Sequence, residues 1–353
     1  MISARAFSGF KVFRDAPLEA SGLPRRILAV LRANSSEKLA DLGKPVPAET
    51  KLDDDDRALL ARVAAYVAGA GKEARLPPVN FKGWLALFLP PRLVDAVQLH
   101  YGLDDPAAAI ALHEAKLGDT GFKLGVTRER ARQLLGLADD TLRQALPLAA
   151  AEPLYGAAAE ILRAAGGVLT AAVLAQNKHP AWGQASPVGA CLLLAHLVPG
   201  RIAVYRGFFS AFPPNLLDRA EKALRDRLNA APGLASIADI AAGLPKSARP
   251  PGGISAEPLT SMLLRHLPDT LATRDGRAGL AGRDGAELLG EILAATGEAP
   301  LRILVETFNQ RVQPECRRGS GYVRAVLGRD PRIRKAAPGR YALPGGLQAG
   351  LTF

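Results

Sequence analysis

The sequence predicts a mostly α-helical protein, a multi-domain array of small helical units, some closed by a β-hairpin. Three observations lead there. First, 353 residues with 48% apolar side chains can bury real cores, and that length suggests roughly two or three domains as a prior. Second, Thr127 precedes a segment in which Ala131, Leu134 and Leu135 share one face at i, i+3 and i+4, while polar residues hold the other. Third, the last 200 or so residues repeat one pattern of elements at a spacing of about 60–70 residues.

Residues 1–88 form an N-terminal helical region. Leu23 to Leu42 reads as two short helices around Ala33-Asn34-Ser35-Ser36. The strings Gly22-Leu23-Pro24-Arg25-Arg26-Ile27-Leu28 and Leu39-Ala40-Asp41-Leu42 resemble the C-terminal domain of the RNA polymerase α subunit. The acidic run Asp53–Asp56 precedes an Ala- and Leu-rich helix from Arg57 to about Ala70. Acids at a helix start favour its dipole, so the run is read as a solvated cap and not as a cation site. Gly71 to Pro78 reads as a linker.

Residues 89–150 form the second module. Its first helix covers Arg92 to Tyr101, and after a polar, Ala-rich connector a helix runs from Leu117 to Leu124. A turn at Gly125-Val126 then leads to the helix capped by Thr127, which makes a helix-turn-helix. Arg128, Glu129, Arg132 and Gln133 pair at i, i+4 on its polar side. Their donors suit guanine and adenine edges, and the carboxylate suits cytosine.

Leu99-His100-Tyr101-Gly102-Leu103-Asp104-Asp105, followed by Leu124-Gly125-Val126-Thr127-Arg128-Glu129-Arg130-Ala131-Arg132-Gln133, resembles region four of the primary sigma factors of bacterial RNA polymerase. Leu142-Arg143-Gln144-Ala145-Leu146 fits the end of that region. The resemblance covers about a sixth of the chain, with both blocks in the family's order. It implies that Arg128, Glu129 and Gln133 face bases, that Arg130 and Arg132 touch phosphates or flanking bases, and that RNA polymerase is a partner. Departures are a connector about six residues too long and Thr120 at an apolar position. The aromatic-rich segment that melts promoters is also missing, so a complete sigma factor is not expected.

Three copies of one small domain follow, at 151–212, 213–284 and 285–353. Leu193-Leu194-Ala195-His196-Leu197 corresponds to Leu263-Leu264-Arg265-His266-Leu267, and Gly276-Arg277-Ala278-Gly279-Leu280 to Gly339-Arg340-Tyr341-Ala342-Leu343. In the last copy the elements are expected at Ala286–Ala295, Leu301–Arg311, Gly319–Leu327, Ile333–Ala336 and Gly339–Leu343. Three helices and a hairpin make a winged helix, with Pro338-Gly339 supplying the wing turn. Asp330-Pro331-Arg332-Ile333-Arg334-Lys335 and the Gly339–Leu343 string resemble the HARE-type winged helix. Between Gln313 and Gly345, eight Lys and Arg face two acids. Arg317, Arg318 and Arg324 fall by or on its third helix and Arg334, Lys335 and Arg340 on its wing, an arrangement suited to phosphates. The second copy offers only Arg265, Arg274 and Arg277, and the first is more apolar around its third helix. His196 and His266 read as packing residues.

The formal charge of +11 favours double-stranded DNA or another polyanion as partner. Two distant cysteines, Cys191 and Cys316, build neither a disulfide framework nor a cysteine metal motif. Met1 to Val12 lacks a secretory pattern, and no apolar run suits a membrane span, so a cytoplasmic protein at the nucleoid is expected. An excess of Arg over Lys with abundant Ala points to a bacterial source. No phosphate-binding loop, dinucleotide fingerprint or zinc-protease motif is present, and Asp139-Asp140 point to different sides of a helix. Cys316 sits in a basic run that would lower its pKa, but no base is placed beside it in sequence. A non-enzyme with no cofactor and no metal is expected. The function anticipated is sequence-specific DNA binding in transcription regulation. A DNA-binding subunit of a defence, replication or mobile-element complex stays open beside it, as does a winged-helix protein scaffold.

Overall fold

The computed structural model describes residues 15–47, 50–73, 79–105 and 116–344. Met1 to Val12, the stretch from Arg75 to Pro78 and most of the connector after Tyr101 lie outside them. The chain is mostly helical with small three-stranded sheets. It divides into two compact units, Met1–Ala164 with Leu169–Val204 and Phe209–Ala211, and Ala165–Val168 with Tyr205–Phe208 and Phe212–Phe353.

Unit one opens with α1 (Arg25–Ala33), a 3-10 turn at Leu39–Gly43 and α2 (Asp54–Glu73). The acidic run does cap: Asp53 Oδ1 accepts from Asp56 N at 2.8 Å. Asp56, however, is buried against Arg26 (2.6 Å), so it is not simply solvated. Helix α2 reaches Glu73, and the expected linker therefore starts later than Gly71. Helix α3 (Phe81–Phe88), capped by Asn80 accepting from Gly83 N (2.8 Å), has no counterpart in the sequence reading. It buries Phe81, Trp84 and Phe88, and Trp84 Nε1 donates to Pro147 O at 2.9 Å.

Next come α4 (Pro91–Tyr101), α5 (Leu117–Lys123), α6 (Arg128–Leu142), α7 (Ala145–Ala150), α8 (Glu152–Ala164), α9 (Ala171–Leu174) and α10 (Pro187–Leu197). Gly102, at φ 63°, ends α4 in the left-handed region that a Cβ disfavours. Gly189 of α10 lies against the end of α4. A Cβ there would stand 2.4 Å from Tyr101 O, so the two helices approach at glycine distance.

One element order recurs three times: helix, short strand, helix, helix, two strands. The first copy is α8, β1 (Val168–Thr170), α9, α10, β2 (Ala203–Tyr205) and β3 (Phe208–Ser210). The second is α11 (Pro214–Ala230), β4 (Ala235–Ser236), α12 (Ile237–Ala242), α13 (Glu257–His266), β5 (Thr270–Ala272) and β6 (Arg277–Leu280). The third is α14 (Ala281–Thr296), β7 (Ala299–Pro300), α15 (Leu301–Arg311), α16 (Ser320–Arg329), β8 (Arg334–Ala337) and β9 (Arg340–Ala342). The sheets have matching orders, β1-β3-β2, β4-β6-β5 and β7-β9-β8. The short first strand of each copy was not expected, because two or three residues carry no period-2 signal. In copies two and three it pairs antiparallel with the last, as in Ala235↔Ala278 and Ala299↔Tyr341.

Copies two and three share one core. Leu264, Leu271 and Ala278 pack in the same buried cluster as Leu304, Phe308 and Val326. No linker separates them, since β6 runs straight into α14. Gln313 N donates to Ala272 O (2.9 Å), Arg274 N to Arg311 O (2.8 Å) and Tyr322 Oη to Ala281 O (2.5 Å). Arg277 bridges to Glu291 by two bonds of 2.6 and 2.9 Å, which holds that carboxyl below the usual range.

Candidate nucleic-acid interface

Helices α5 and α6 meet at a tight turn. A Cβ on Gly121 would stand 2.9 Å from Val126 O, and Gly125 takes φ +66°. Thr120, at a position expected to be apolar, is buried with its hydroxyl 3.4 Å from His100 Nδ1. A polar pair thus replaces an apolar contact at the α4–α5 seam.

Thr127 Oγ1 accepts from Arg130 N at 3.2 Å and starts α6. The helix then sorts its faces. Ala131, Leu134, Leu135, Ala138 and Leu142 are buried, whereas Arg128, Glu129, Arg130, Arg132 and Gln133 are exposed. Arg132 donates to both Glu129 oxygens (2.9 and 2.6 Å), and this contact lowers the Glu129 pKa. Gln133 Nε2 reaches Glu129 at 3.4 Å, and Arg130 Nη1 donates to Gln133 Oε1 at 3.1 Å. Arg128 has no ion pair or side-chain hydrogen bond among the described residues. The Glu129–Arg132 pair lies in water, where such pairs hold weakly and exchange for a stronger partner. At the other end Asp139 meets His196 Nε2 (2.7 Å) and Arg143 Nη2 donates to His196 O (3.0 Å). His196 is therefore more than a packing residue, with a carboxylate partner far away in sequence.

The third helices of the copies differ in access. Every residue of α10 from Pro187 to Leu194 is buried, as its all-round apolar sequence requires. On α13 only Glu257 is fully exposed. The basic residues of copy two are committed inward: Arg274 Nε donates to Val312 O (3.2 Å), and Arg277 holds Glu291. Arg265 and His266 each bury a nitrogen that finds no hydrogen-bond partner.

Helix α16 is open. Ser320, Gly321, Arg324, Ala325, Gly328 and Arg329 are exposed along it, small side chains flanking a guanidinium. Arg317, Arg324, Arg334 and Lys335 are exposed and have no side-chain partner among the described residues. Two expected phosphate ligands stand differently. Arg318 Nη2 donates to Pro268 O (3.1 Å) and Thr270 O (3.2 Å), and its guanidinium lies 5.7 Å from the Tyr322 ring centre. It fastens copy three to copy two, a role that nearby sequence does not signal. Arg340 on β9 is exposed but paired with Glu298.

Cys316 is buried, its sulfur accepting from Ala272 N (3.4 Å). Burial pushes its pKa up, against the lowering expected from its basic neighbours, and Cys191 is pushed up to about 12. No group of three or more His, Cys, Asp or Glu among the described residues is placed to hold a metal ion. No helix among them is long and apolar enough to cross a membrane. No protein-family model, curated protein or solved structure matches the chain.

Proposed function

We propose that this protein binds double-stranded DNA and reads its sequence through the outer face of α6, a helix-turn-helix reading helix, in the service of transcription regulation. One observation carries the reading: a capped helix buries one face and turns Arg128, Glu129, Arg130, Arg132 and Gln133 to solvent together. Major-groove recognition needs that division, with donors for purine edges beside an acceptor for cytosine. Arg128, Glu129 and Gln133 are assigned to bases, Arg130 and Arg132 to phosphates or flanking bases.

The three repeats are taken as winged helices with divided labour. In the first two, the third helix is largely covered by protein, so both serve as scaffold. The third keeps its helix and wing open, and Arg317, Arg324, Arg334 and Lys335 supply phosphate affinity without sequence preference. Each compact unit thus contributes one open basic surface, and tethering two modest binders raises their joint affinity on one DNA molecule. The link to RNA polymerase rests on the likeness of Leu99–Asp105 and Leu124–Gln133 to sigma region four.

Selection of bound fragments from a random duplex pool tests the reading. A recurring motif is expected, on which Arg128→Ala or Gln133→Ala costs about 1–3 kcal/mol while random DNA is bound as before. Equal losses on every sequence would contradict base reading. Absence of duplex binding at low salt would remove DNA as the partner.

A further inference from the structure

Phe122 is the most exposed large apolar side chain among the described residues, at 87%. It stands on the last turn of α5, one residue after Gly121. Because Gly121 has no Cβ, α5 presses against the Val126–Thr127 backbone and brings Phe122 beside the start of α6. Phe122, Gly125, Val126, Thr127 and Arg130 line one open hollow there. The fold does not ask for this ring, since α5 anchors through buried Thr120 and Gly121.

The surroundings narrow what covers it. Arg130 lines the hollow with the ring, Lys123 follows it in sequence, and Arg128 opens α6 after Thr127, all three exposed. Of the nearby acids, Glu129 is held by Arg132, and exposed Asp119, one turn before Phe122 on α5, is set against more cations than acids at this end. The occupant is therefore anionic overall and apolar at one point. A duplex seated on α6 meets both conditions: its phosphates answer the cations, and the C5-methyl of thymine is the apolar feature of the major-groove edge.

We propose that Phe122 is a specificity-determining residue that packs on the methyl group of a thymine at the edge of the site read by α6. This inference rests on the DNA reading above. A phenylalanine against that methyl would favour A·T over G·C at one position by apolar contact alone.

The test is chemical deletion on both sides of the contact. Wild-type protein, Phe122→Ala and Arg128→Ala are titrated, by fluorescence anisotropy, against the selected duplex and against duplexes in which each thymine in turn is replaced by deoxyuracil. Phe122→Ala should weaken binding about fivefold. One deoxyuracil should weaken wild type about three- to fourfold, the worth of one buried methyl, and leave Phe122→Ala unaffected. A Phe122→Ala protein that binds like wild type overturns the proposal, as does one that loses equally on all duplexes or stays sensitive to the same deoxyuracil. In those cases a retained Arg128→Ala loss leaves the DNA reading standing. Failure of wild type to bind any duplex takes both down together. Since the ring is exposed, Phe122→Ala should unfold at the wild-type temperature, which checks that its loss is not one of folding.

Discussion

Copies two and three should unfold as one body, because their cores are one core. The perturbation is a cavity placed in either copy: Leu271→Ala in the second or Phe308→Ala in the third. Both side chains are fully buried in the shared cluster. Leu→Ala in such a site costs about 2–5 kcal/mol and Phe→Ala about 3–5 kcal/mol. A loss of about 3.5 kcal/mol speeds exchange through global opening by between two and three decades. The assay is native-state hydrogen exchange with mass spectrometry, following peptides from α13 and from α15. In either variant the slowest amides of both helices should lose protection by the same factor. Wild-type protection along Leu301–Arg311 in Leu271→Ala would refute the argument and return the copies to independent domains.

Four further outcomes are expected. Thr127→Ala removes the α6 cap, a loss of about 1 kcal/mol seen as faster exchange at the helix start, which Thr127→Ser restores. Arg334→Ala with Lys335→Ala should weaken binding to all duplexes alike and reduce the slope of log affinity against log salt by about 2; Arg340→Ala should change it less, because Glu298 already holds that guanidinium. Arg277 holds Glu291 and Arg332 holds Asp330 below the ordinary carboxylate range, so the unfolded chain takes up these protons first as pH falls. The stability they contribute is complete above about pH 5, past the unfolded pKa values, and is lost progressively as pH falls through the lowered folded values, and urea titrations of Glu291→Gln should show a shallower acid loss. Cys191 and Cys316 should resist alkylation at pH 8 in the native protein and react once urea unfolds it, since burial raises both pKa values.

Local signals in the sequence were legible. The Thr127 cap, the α6 faces and the span Leu301–Arg311 emerge where cap chemistry and helical period agree over several turns. The threefold repeat was legible from paired strings at its third helices and hairpins. What escaped is what only three dimensions decide. Helix α3 did carry a local signal, Phe81, Trp84, Leu85 and Phe88 at i, i+3, i+4 and i+7 behind the Asn80 cap, but at eight residues it spans only two turns between Pro-rich stretches. Arg318 and Arg277 read as free cations, since carbonyls and carboxylates from elements distant in sequence claim them. Cys316 follows the same rule: its charged neighbours are visible in sequence, its burial is not. Phe122 carried a faint signal, a Gly-Phe pair at a helix end beside Lys123, which periodicity does not weigh.

The claim on which the function rests is that α6 lies in a major groove with Arg128 against a base. Replacing the guanines of the selected site one at a time by 7-deazaguanine removes a single acceptor, N7, and leaves base pairing unchanged. Wild type should lose about tenfold at one guanine, and Arg128→Ala should bind the two duplexes equally. An equal loss in both proteins, or no loss at any guanine, would contradict the placement of α6 in the groove.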